Sequence, residues 1–260
     1  MVCAWAAPAK SAASAAIVAR VMNPSPLRCR NHPVTNGIMV ATASAVNHDR
    51  PAAAPPPRRN PARSRAAILS AATAEFSAKG LAGARVDEIA RRAGLNKRML
   101  YQYYGNKEGL YLAVLESVYA AFRGAERALR LGDLDPAAAM RKLVTFNAAY
   151  CAEHPELISL LSTENLHRAR YLKRSREVPA LHGALLDMVA EILARGQAAG
   201  LFRRDVAALD LYLLIASLGW FFHSNRWTLS TIFRRDLGRP EARAAWRERA
   251  ADAVLGYLRP

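Results

Sequence analysis

The chain has 260 residues, of which 52% are hydrophobic and 22% are charged, and its formal net charge is +16. A chain of this length and apolar content buries at least one substantial core, which excludes a protein that is disordered throughout. So large a positive charge implies a polyanionic partner, because lysine and arginine side chains release the counterions condensed on phosphates.

Cysteine content and hydropathy exclude two further classes of protein. Cys3, Cys29 and Cys151 are an odd number without metal-ligand spacing, which argues against a disulfide framework and favours a reducing compartment. The longest apolar run, residues 211–222, is shorter than the roughly 20 residues that a membrane-crossing helix needs. We therefore expect a cytoplasmic protein with no membrane span, no metal site and no cofactor.

Residues 1–57 differ in composition from the rest of the chain. They are rich in Ala, Pro and Ser, and Asp49 is their only acidic residue. Because no sustained apolar period occurs in this stretch, we predict a disordered N-terminal extension. Three alternatives stay open: an organellar transit peptide, a weak secretory signal around residues 12–19, and translation that begins at Met22 or Met39.

From residue 58 onward the apolar residues recur at helical spacing, and no alternating run of β-branched residues is long enough for a strand. Asn60 and Pro61 predict the start of a first helix, and Lys79-Gly80 predicts its end. We predict an all-α fold of about nine helices. The other predicted boundaries are a helix from Lys107 to about Arg130 capped by Asn106, one from Pro136 to about Glu153 opened by Asp135, starts near Pro155, Pro179 and Pro240, a stop at Gly200 and an end at Leu258.

A helix-turn-helix is predicted between Val86 and Tyr104. Two short helical patterns are joined there by residues 93–96, which is the length of a tight helical corner. Gly94 suits the left-handed conformation that ends the first helix, and Asn96 suits the cap of the second. The apolar residues expected to join the corner to the first helix are Ile89, Ala90, Leu95 and Leu100, against Ile68, Leu69 and Phe76.

With those apolar residues turned inward, Lys97, Arg98, Tyr101 and Tyr103 are predicted to project outward from the second helix, where a recognition helix reaches base edges. The two cations suit guanine, and the two tyrosines suit phosphates, sugars or thymine methyl groups. Lys107 is placed for a phosphate. Upstream cations expected to follow phosphates or enter the minor groove are Arg58, Arg59, Arg63 and Arg65. The alternative is a solvated basic face that never meets DNA.

Residues 68–115 resemble the TetR family of helix-turn-helix transcriptional regulators. The matching residues are Phe76, Gly80, Val86, Ile89, Ala90, Ala93, Gly94, Leu95, Leu100, Tyr101, Tyr103, Tyr104, Lys107, Glu108 and Leu110. By this resemblance Lys97, Arg98, Tyr101, Tyr103 and Lys107 match DNA-contacting positions of the family. The resemblance also implies a homodimer that reads a pseudo-palindromic double-stranded DNA operator, with a helical ligand-binding domain behind each DNA-binding module.

The main departure from the family pattern is Arg85, which stands where Ser or Thr usually caps the helix that starts at Val86. Loss of a capping hydroxyl costs about 1 kcal/mol. The guanidinium of Arg85 instead adds a cation where a phosphate would lie, so we include it among the predicted DNA-binding residues. Tyr104 and Asn96 are milder departures.

We expect a disordered extension over residues 1–57, a helix-turn-helix DNA-binding domain over 58–115, and a helical ligand-binding and dimerisation domain over 116–260. The apolar helix 206–222 and the final helix are the predicted dimer interface, and a monomer whose core contains them is the alternative. An unidentified small-molecule effector is expected. The candidate effector-binding residues are Tyr150, Glu164, Asn165, His167, Trp220 and His223.

The sequence thus predicts a sequence-specific transcriptional regulator, a repressor released by a ligand, and not an enzyme. One alternative is a basic protein that binds nucleic acid or membrane surfaces without sequence preference. The other is a helical metal-dependent enzyme, because Glu164-x-x-His167 is half of a carboxylate-bridged di-iron site. The second Glu-x-x-His that such a site needs does not occur in the chain, so we predict no catalytic residue.

Overall fold

The computed structural model describes residues 60–260, so the predicted extension, Arg58, Arg59, Cys3 and Cys29 lie outside the described residues. Within this range there are ten α-helices, two short 3-10 turns and no strand. The helices are α1 (Pro61–Gly83), α2 (Val86–Ala93), α3 (Lys97–Tyr104), α4 (Lys107–Arg127), α5 (Pro136–Glu153), α6 (Pro155–Leu166), α7 (Glu177–Ala198), α8 (Ala208–Ser224), α9 (Arg226–Ile232) and α10 (Pro240–Leu258). The all-α prediction is confirmed.

The described residues hold one helix more than the nine predicted, because α8 and α9 are separated only by Asn225, with neither Gly nor Pro to mark the break. Helix α7 begins two residues before the predicted Pro179, since the hydroxyl of Ser175 accepts a hydrogen bond from the Val178 N–H at 3.2 Å. Helix α4 ends before the predicted Arg130, whose φ of 50° cannot continue a helix.

Side-chain caps begin several helices where the sequence predicts them. The Oδ1 atom of Asn60 accepts from the Ala62 N–H at 2.9 Å, and Oδ1 of Asn106 accepts from the Gly109 N–H at 2.7 Å. Asp135 caps α5 in the same way. Each cap satisfies a backbone donor that the first turn of a helix leaves without a partner.

The first core joins α1 to α4. Phe76 of α1 and Ile89 of α2 are fully buried, and Leu100 of α3 is 2% exposed, as predicted. The ring of Tyr111 on α4 meets Phe76 edge to face, with centroids 5.2 Å apart. Leu160 of α6 also belongs to this core, so α6 packs directly against the corner's supporting helices.

A second core is built by α5, α7, α8 and α10, and includes the buried Met140, Ile192, Ile215 and Val254. Between the two cores, Phe122 of α4 packs with Tyr150 of α5 and Leu157 of α6. Helix α4 therefore runs from the first core towards the second without interruption. The sequence-based boundary after residue 115 falls inside this helix.

Helix α8 buries one face only. Leu211, Ile215 and Phe222 are buried in the core, whereas Leu209, Leu213 and Phe221 each keep about half of their surface exposed, at 51%, 55% and 55%. No other helix of the described residues covers the exposed face of α8. None of the helices in residues 60–260 is long and apolar enough to cross a membrane.

Candidate nucleic-acid interface and small-molecule cavity

The corner between α2 and α3 is made by Gly94, which has φ 65° and ψ 30°. Residues with a Cβ rarely adopt this conformation, so glycine is the residue that the turn requires. The Leu95 N–H donates to the Ala90 carbonyl at 3.0 Å, and Oδ1 of Asn96 accepts from the Met99 N–H at 2.9 Å. The predicted stop and the predicted cap are both confirmed.

The start of α2 has no side-chain cap at Arg85. The carboxylate of Glu75, fully buried on α1, instead accepts from the N–H of Arg85 itself at 3.2 Å and so fixes the residue that precedes α2. Lys79 binds the same oxygen at 2.7 Å, and Arg92 lies 3.6 Å from the other. The hydrogen bond from Lys79 is the main cause that holds the pKa of Glu75 below its usual value, against the effect of burial. Glu75 thus ties α1 to α2.

Sequence reasoning missed Glu75. The signal was present, because residue 75 falls in the helical stripe of α1 that buries Ile68, Ala72 and Phe76. An acid in such a stripe needs a charged or hydrogen-bonded partner.

The exposed face of α3 carries Arg98, Tyr101 and Gln102, opposite the buried Leu100. The spacing i, i+3, i+4 places these three side chains on one face of the helix. Arginine suits guanine O6 and N7, and a Gln amide suits adenine N6 and N7. Gln102 was missed by the sequence analysis, although its position four residues after Arg98 was sufficient to find it.

Lys97, also predicted to project outward, is exposed but paired. Its Nζ atom lies 2.9 Å from Oδ1 of Asp87 on α2. The hydrogen bond that Lys97 donates to Asp87 is the largest cause that raises the pKa of Lys97. A phosphate that contacts Lys97 must therefore compete with the carboxylate of Asp87.

Tyr103 does not project freely outward, which corrects the prediction. Its ring is half-buried against the first core, and the guanidinium carbon of Arg65 lies 5.2 Å from the ring centroid. The physical reason is helical spacing: residue 103 follows the buried Leu100 by three positions and so lies beside the inward face. Arg65 and Tyr103 together form one basic and aromatic surface of α1 and α3.

The remaining predicted DNA-binding cations lie around this face. Arg85 is exposed at the start of α2, and Arg63 is exposed on α1. Lys107 is half-buried, and its Nζ atom donates to the Ala82 carbonyl at 3.3 Å, in the last turn of α1. The amine of Lys107 therefore stabilises the end of α1 in the absence of DNA.

A cavity of about 320 Å³ lies among helices α4 to α8. Apolar and aromatic side chains make most of its wall, and four buried or half-buried polar side chains reach it from different helices. These polar residues are Arg123 on α4, Asn147 on α5, His182 on α7 and Tyr212 on α8. Two of the predicted effector-binding residues, Asn165 and Trp220, also line this cavity.

His223 lines a different cavity, of about 450 Å³, together with residues of α1, α6 and α9. Burial, followed by the nearby Arg226 and Arg243, lowers the pKa of His223 to about 4. His223 and Trp220 are three residues apart on α8, yet they reach two separate spaces. The structure therefore does not bring the predicted effector-binding residues into one cavity.

The other three predicted residues line neither space. Tyr150 is stacked between Phe122 and His154, with centroids 4.4 Å and 3.9 Å from its own. The carboxylate of Glu164 accepts the Leu172 N–H at 2.9 Å and so stabilises the loop after α6. His167 is exposed, and its Nδ1 atom lies 2.8 Å from a carbonyl of its own helix. Local polarity did not reveal which way each side chain points.

Glu164 and His167 also carried the di-iron alternative. The carboxylate of Glu164 is buried and directed at backbone N–H groups, whereas His167 is on the surface. No group of three or more His, Cys, Asp and Glu residues arranged to hold a metal ion occurs in the described part of the chain.

A buried ion pair in the cavity wall was not anticipated. Arg123 and Glu126 are each 2% exposed, and Nη1 of Arg123 lies 2.5 Å from Oε2 of Glu126. Burial raises the pKa of Glu126 to about 7, although Arg123 opposes this shift. The pair is three residues apart in a stripe that includes Leu115, Tyr119 and Phe122, which was the available signal.

A corner bent at glycine, with a basic and polar helix face held over a buried core, defines a helix-turn-helix DNA-binding protein. Residues 68–114 match the family model described as bacterial regulatory proteins, tetR family. Residues 136–254 match the model described as tetracyclin repressor-like, C-terminal domain. The chain belongs to the tetR family of bacterial regulatory proteins and is a DNA-binding transcriptional regulator.

Similar proteins support the family assignment. The HTH-type transcriptional repressor NicS of Pseudomonas putida is 43% identical over 197 residues, which are 76% of this chain and 93% of NicS. The HTH-type transcriptional repressor SCO4008 of Streptomyces coelicolor is 34% identical, over 62% of this chain and 80% of its own. The solved structure of the fatty acid degradation regulator FadR from Bacillus halodurans has a TM-score of 0.58 at 19% identity, covers 76% of this chain and 96% of its own, and shows a shared fold.

Proposed function

We propose that the protein is a transcriptional repressor that binds a pseudo-palindromic operator as a homodimer and is released when a small molecule occupies the cavity between α4 and α8. The observation that carries the proposal is the exposed face of α3, where Arg98, Tyr101 and Gln102 lie together above a fully packed core. The relatives NicS and SCO4008 are named as repressors, which supports repression rather than activation. The proposal assigns the chain no catalytic role.

In this proposal α3 enters the major groove. Arg98 donates to guanine and Gln102 pairs with adenine, so these two side chains read sequence. Tyr101 contacts a phosphate or a thymine methyl group. The residues proposed for the phosphate backbone, which set position and not sequence, are Arg63, Arg65, Arg85, Lys97, Tyr103 and Lys107.

The homodimer is proposed to form through α8 and α10. Leu209, Leu213 and Phe221 leave one face of α8 apolar and exposed, and Tyr257 of α10 is 41% exposed. Exposed apolar residues grouped on one face of a helix indicate an interface with another protein surface. A two-fold axis through this face would place two recognition helices on one side of the dimer. In this proposal the chain has two functional parts: residues 58–115 bind DNA, and residues 116–260 bind the effector and the partner subunit.

Helix α6 is proposed to carry the signal between the two parts. Leu157 and Leu161 of α6 line the cavity. On the other side of α6, Ser159 Oγ donates to the Ser77 carbonyl of α1 at 2.5 Å. A ligand that displaces α6 would therefore act directly on α1, which supports the recognition helix.

The test is selection of bound sequences from a random double-stranded DNA library by the full chain, followed by footprinting of the recovered site. We expect a pseudo-palindrome with two protected half-sites about one helical turn apart, because two α3 helices enter successive major grooves. Binding at increasing salt checks the alternative of non-specific attraction. A sequence reader keeps its preference for the site over random DNA as salt rises, whereas loss of preference and affinity together would refute the proposal.

A further inference from the structure

The cavity wall contains a cation whose hydrogen-bonding capacity is not met. Arg123 is 2% exposed and lines the cavity. Its Nη1 atom binds Glu126, but its Nε–H has no hydrogen-bond partner. An unpaired donor of a buried cation is costly, and an incoming anion would relieve that cost.

Glu126 binds only the Nη1 atom of Arg123. Burial raises the pKa of Glu126 to about 7, although Arg123 opposes this shift. Its Oε1 atom also has no hydrogen-bond partner. The guanidinium of Arg123 therefore keeps both positive charge and geometry for a second carboxylate, which a planar guanidinium binds through two parallel N–H groups.

A second unmet group lies across the cavity. Asn147 is 3% exposed, lines the same space and has an Oδ1 atom without a donor. The absence of a side chain at Gly219 makes room for this amide, because a Cβ there would lie 2.2 Å from Oδ1. Oδ1 is therefore directed at the backbone of α8, and the Nδ2 amide donor is the part of Asn147 that can pair with a hydrogen-bond acceptor on a ligand.

Aromatic rings form much of the remaining cavity wall. The rings that line the cavity are Tyr119, Phe122, His182, Tyr212 and Trp220. Tyr119 meets His182 with centroids 5.2 Å apart, and the guanidinium carbon of Arg123 lies 4.2 Å from the Phe122 centroid. Burial lowers the pKa of His182, whose Nδ1 atom lies 2.9 Å from the Val178 carbonyl, so the ring adds no second cation at neutral pH. Aromatic walls favour a planar ring between them.

We propose that the cavity binds a small aromatic carboxylic acid, with its carboxylate on Arg123, its ring between the aromatic walls and a hydroxyl substituent whose oxygen accepts from the Asn147 amide. The inference rests on the proposed effector site. A volume of about 320 Å³ is at the low end for small-molecule sites, which restricts the ligand to about one substituted ring. The shared chemistry is that of a hydroxylated benzoate.

The test is isothermal titration calorimetry on the full chain without DNA, with benzoate, 4-hydroxybenzoate and benzamide as probes. Benzamide matches benzoate in shape but lacks the charge. We expect benzoate to bind at least about tenfold more tightly than benzamide, and 4-hydroxybenzoate more tightly than benzoate, because each added contact satisfies a buried group. Equal affinity for benzoate and benzamide, or no binding of any carboxylate at millimolar concentration, would overturn the inference.

Two variants locate the site. Arg123→Gln is expected to remove the preference for benzoate over benzamide, and circular dichroism checks that the chain remains folded. Asn147→Ala leaves the Arg123–Glu126 pair in place and is expected to abolish only the advantage of 4-hydroxybenzoate over benzoate. His167→Ala, at the surface outside the cavity, is the matched control. It should change neither the affinity ratio of benzoate to benzamide nor that of 4-hydroxybenzoate to benzoate. An unchanged ratio in folded Asn147→Ala would contradict the assignment of the hydroxyl.

Release of DNA is measured separately, by fluorescence anisotropy of a labelled operator. If 4-hydroxybenzoate binds the free protein but does not release the operator, the inference about the cavity stands and the proposed ligand-released repression fails. If carboxylates do not bind but another class of compound releases the operator, the inference fails and the proposed function stands.

Discussion

The corner of α2 and α3 and the cavity between α4 and α8 differ in how completely their polar groups are paired. At the corner, the exposed charges Asp87 and Lys97 pair with each other. Oε1 of the buried Glu75 is bound by Lys79 and by a backbone N–H, and its Oε2 has no hydrogen bond but lies 3.6 Å from Arg92. Around the cavity, Arg123 and Asn147 keep buried polar atoms without partners. The polar groups of the corner are thus largely paired in the absence of DNA. The cavity instead keeps hydrogen-bonding groups that a ligand would pair.

The largest effect is expected on operator affinity, and it tests whether the exposed face of α3 contacts bases. The double variant Arg98→Ala and Gln102→Ala should weaken binding to the selected operator by about 100-fold or more, since each bidentate base contact contributes about 1–3 kcal/mol. Fluorescence anisotropy measures the loss. Arg249→Ala, an exposed cation on α10, is the control and should bind normally. Operator binding by the double variant at unchanged affinity would show that this face does not read bases.

The buried carboxylate of the corner should matter for stability. Glu75→Gln keeps the size of the side chain but removes the charge that binds Lys79 and the Arg85 N–H. We expect a loss of about 1–3 kcal/mol in the free energy of unfolding, the usual cost of a weakened buried hydrogen bond to a charged group. Urea denaturation measures it, with the exposed Glu241→Gln on α10 as control. Equal midpoints for the two variants would mean that Glu75 does not tie α1 to α2.

In the second cavity, of about 450 Å³, His223 should make the free energy of unfolding depend on pH. Its pKa is lowered to about 4 in the folded chain, by burial first, from the ordinary value of 6.5. As pH falls, His223 is therefore protonated in the unfolded chain before it is protonated in the folded chain. Its contribution to the free energy of unfolding is fully present above about pH 6.5 and is lost as pH falls towards 4.

His223→Gln should remove part of the fall in the free energy of unfolding with pH, on the order of 1–3 kcal/mol between pH 7 and pH 4. Thermal unfolding across that range measures the difference, and the exposed His167→Gln is the control. Parallel profiles for the wild type and His223→Gln would contradict the sign assigned to this group.

The smallest expected effect concerns the exposed pair at the corner. Asp87→Asn removes the competitor of phosphate for Lys97 and should raise affinity by about twofold to fivefold for operator and random DNA alike, because an exposed ion pair is weak and phosphate contacts carry no sequence information. The slope of affinity against salt should become steeper by about one ion. Asp252→Asn on α10, which removes the carboxylate that lies 2.6 Å from Arg141 of α5, is the control. A gain restricted to the operator would contradict a phosphate role for Lys97.

Much of the corner was predictable because it depends on local chemistry. Gly94 is needed for a left-handed turn, Asn96 supplies a cap, and the apolar spacing of Ile89 and Leu100 points them to one side. The outward direction of Tyr103 was predicted incorrectly, because residue 103 lies beside the buried face of α3 and its ring packs against the first core. Glu75 was missed because its partners, Lys79 apart, come from the next helix.

The cavity was less predictable. Of the candidate effector-binding residues, Asn165 and Trp220 line it, whereas Arg123 and Asn147 were not considered. Arg123, Asn147 and His182 are distant in the sequence and lie on three helices, so only the packing of those helices brings them to one space. Residue type alone does not distinguish a polar group in such a wall from one that caps a loop, as Glu164 does.

The sequence by itself determined the all-α class, most helix boundaries and the helix-turn-helix, because caps, glycine turns and apolar spacing act over a few residues. Only the tertiary structure decided which side chains of α3 are exposed, how Glu75 of α1 binds the start of α2, and which polar groups meet in the cavity. These outcomes depend on how whole helices pack, and on the cost of burying a charge that a distant helix must satisfy.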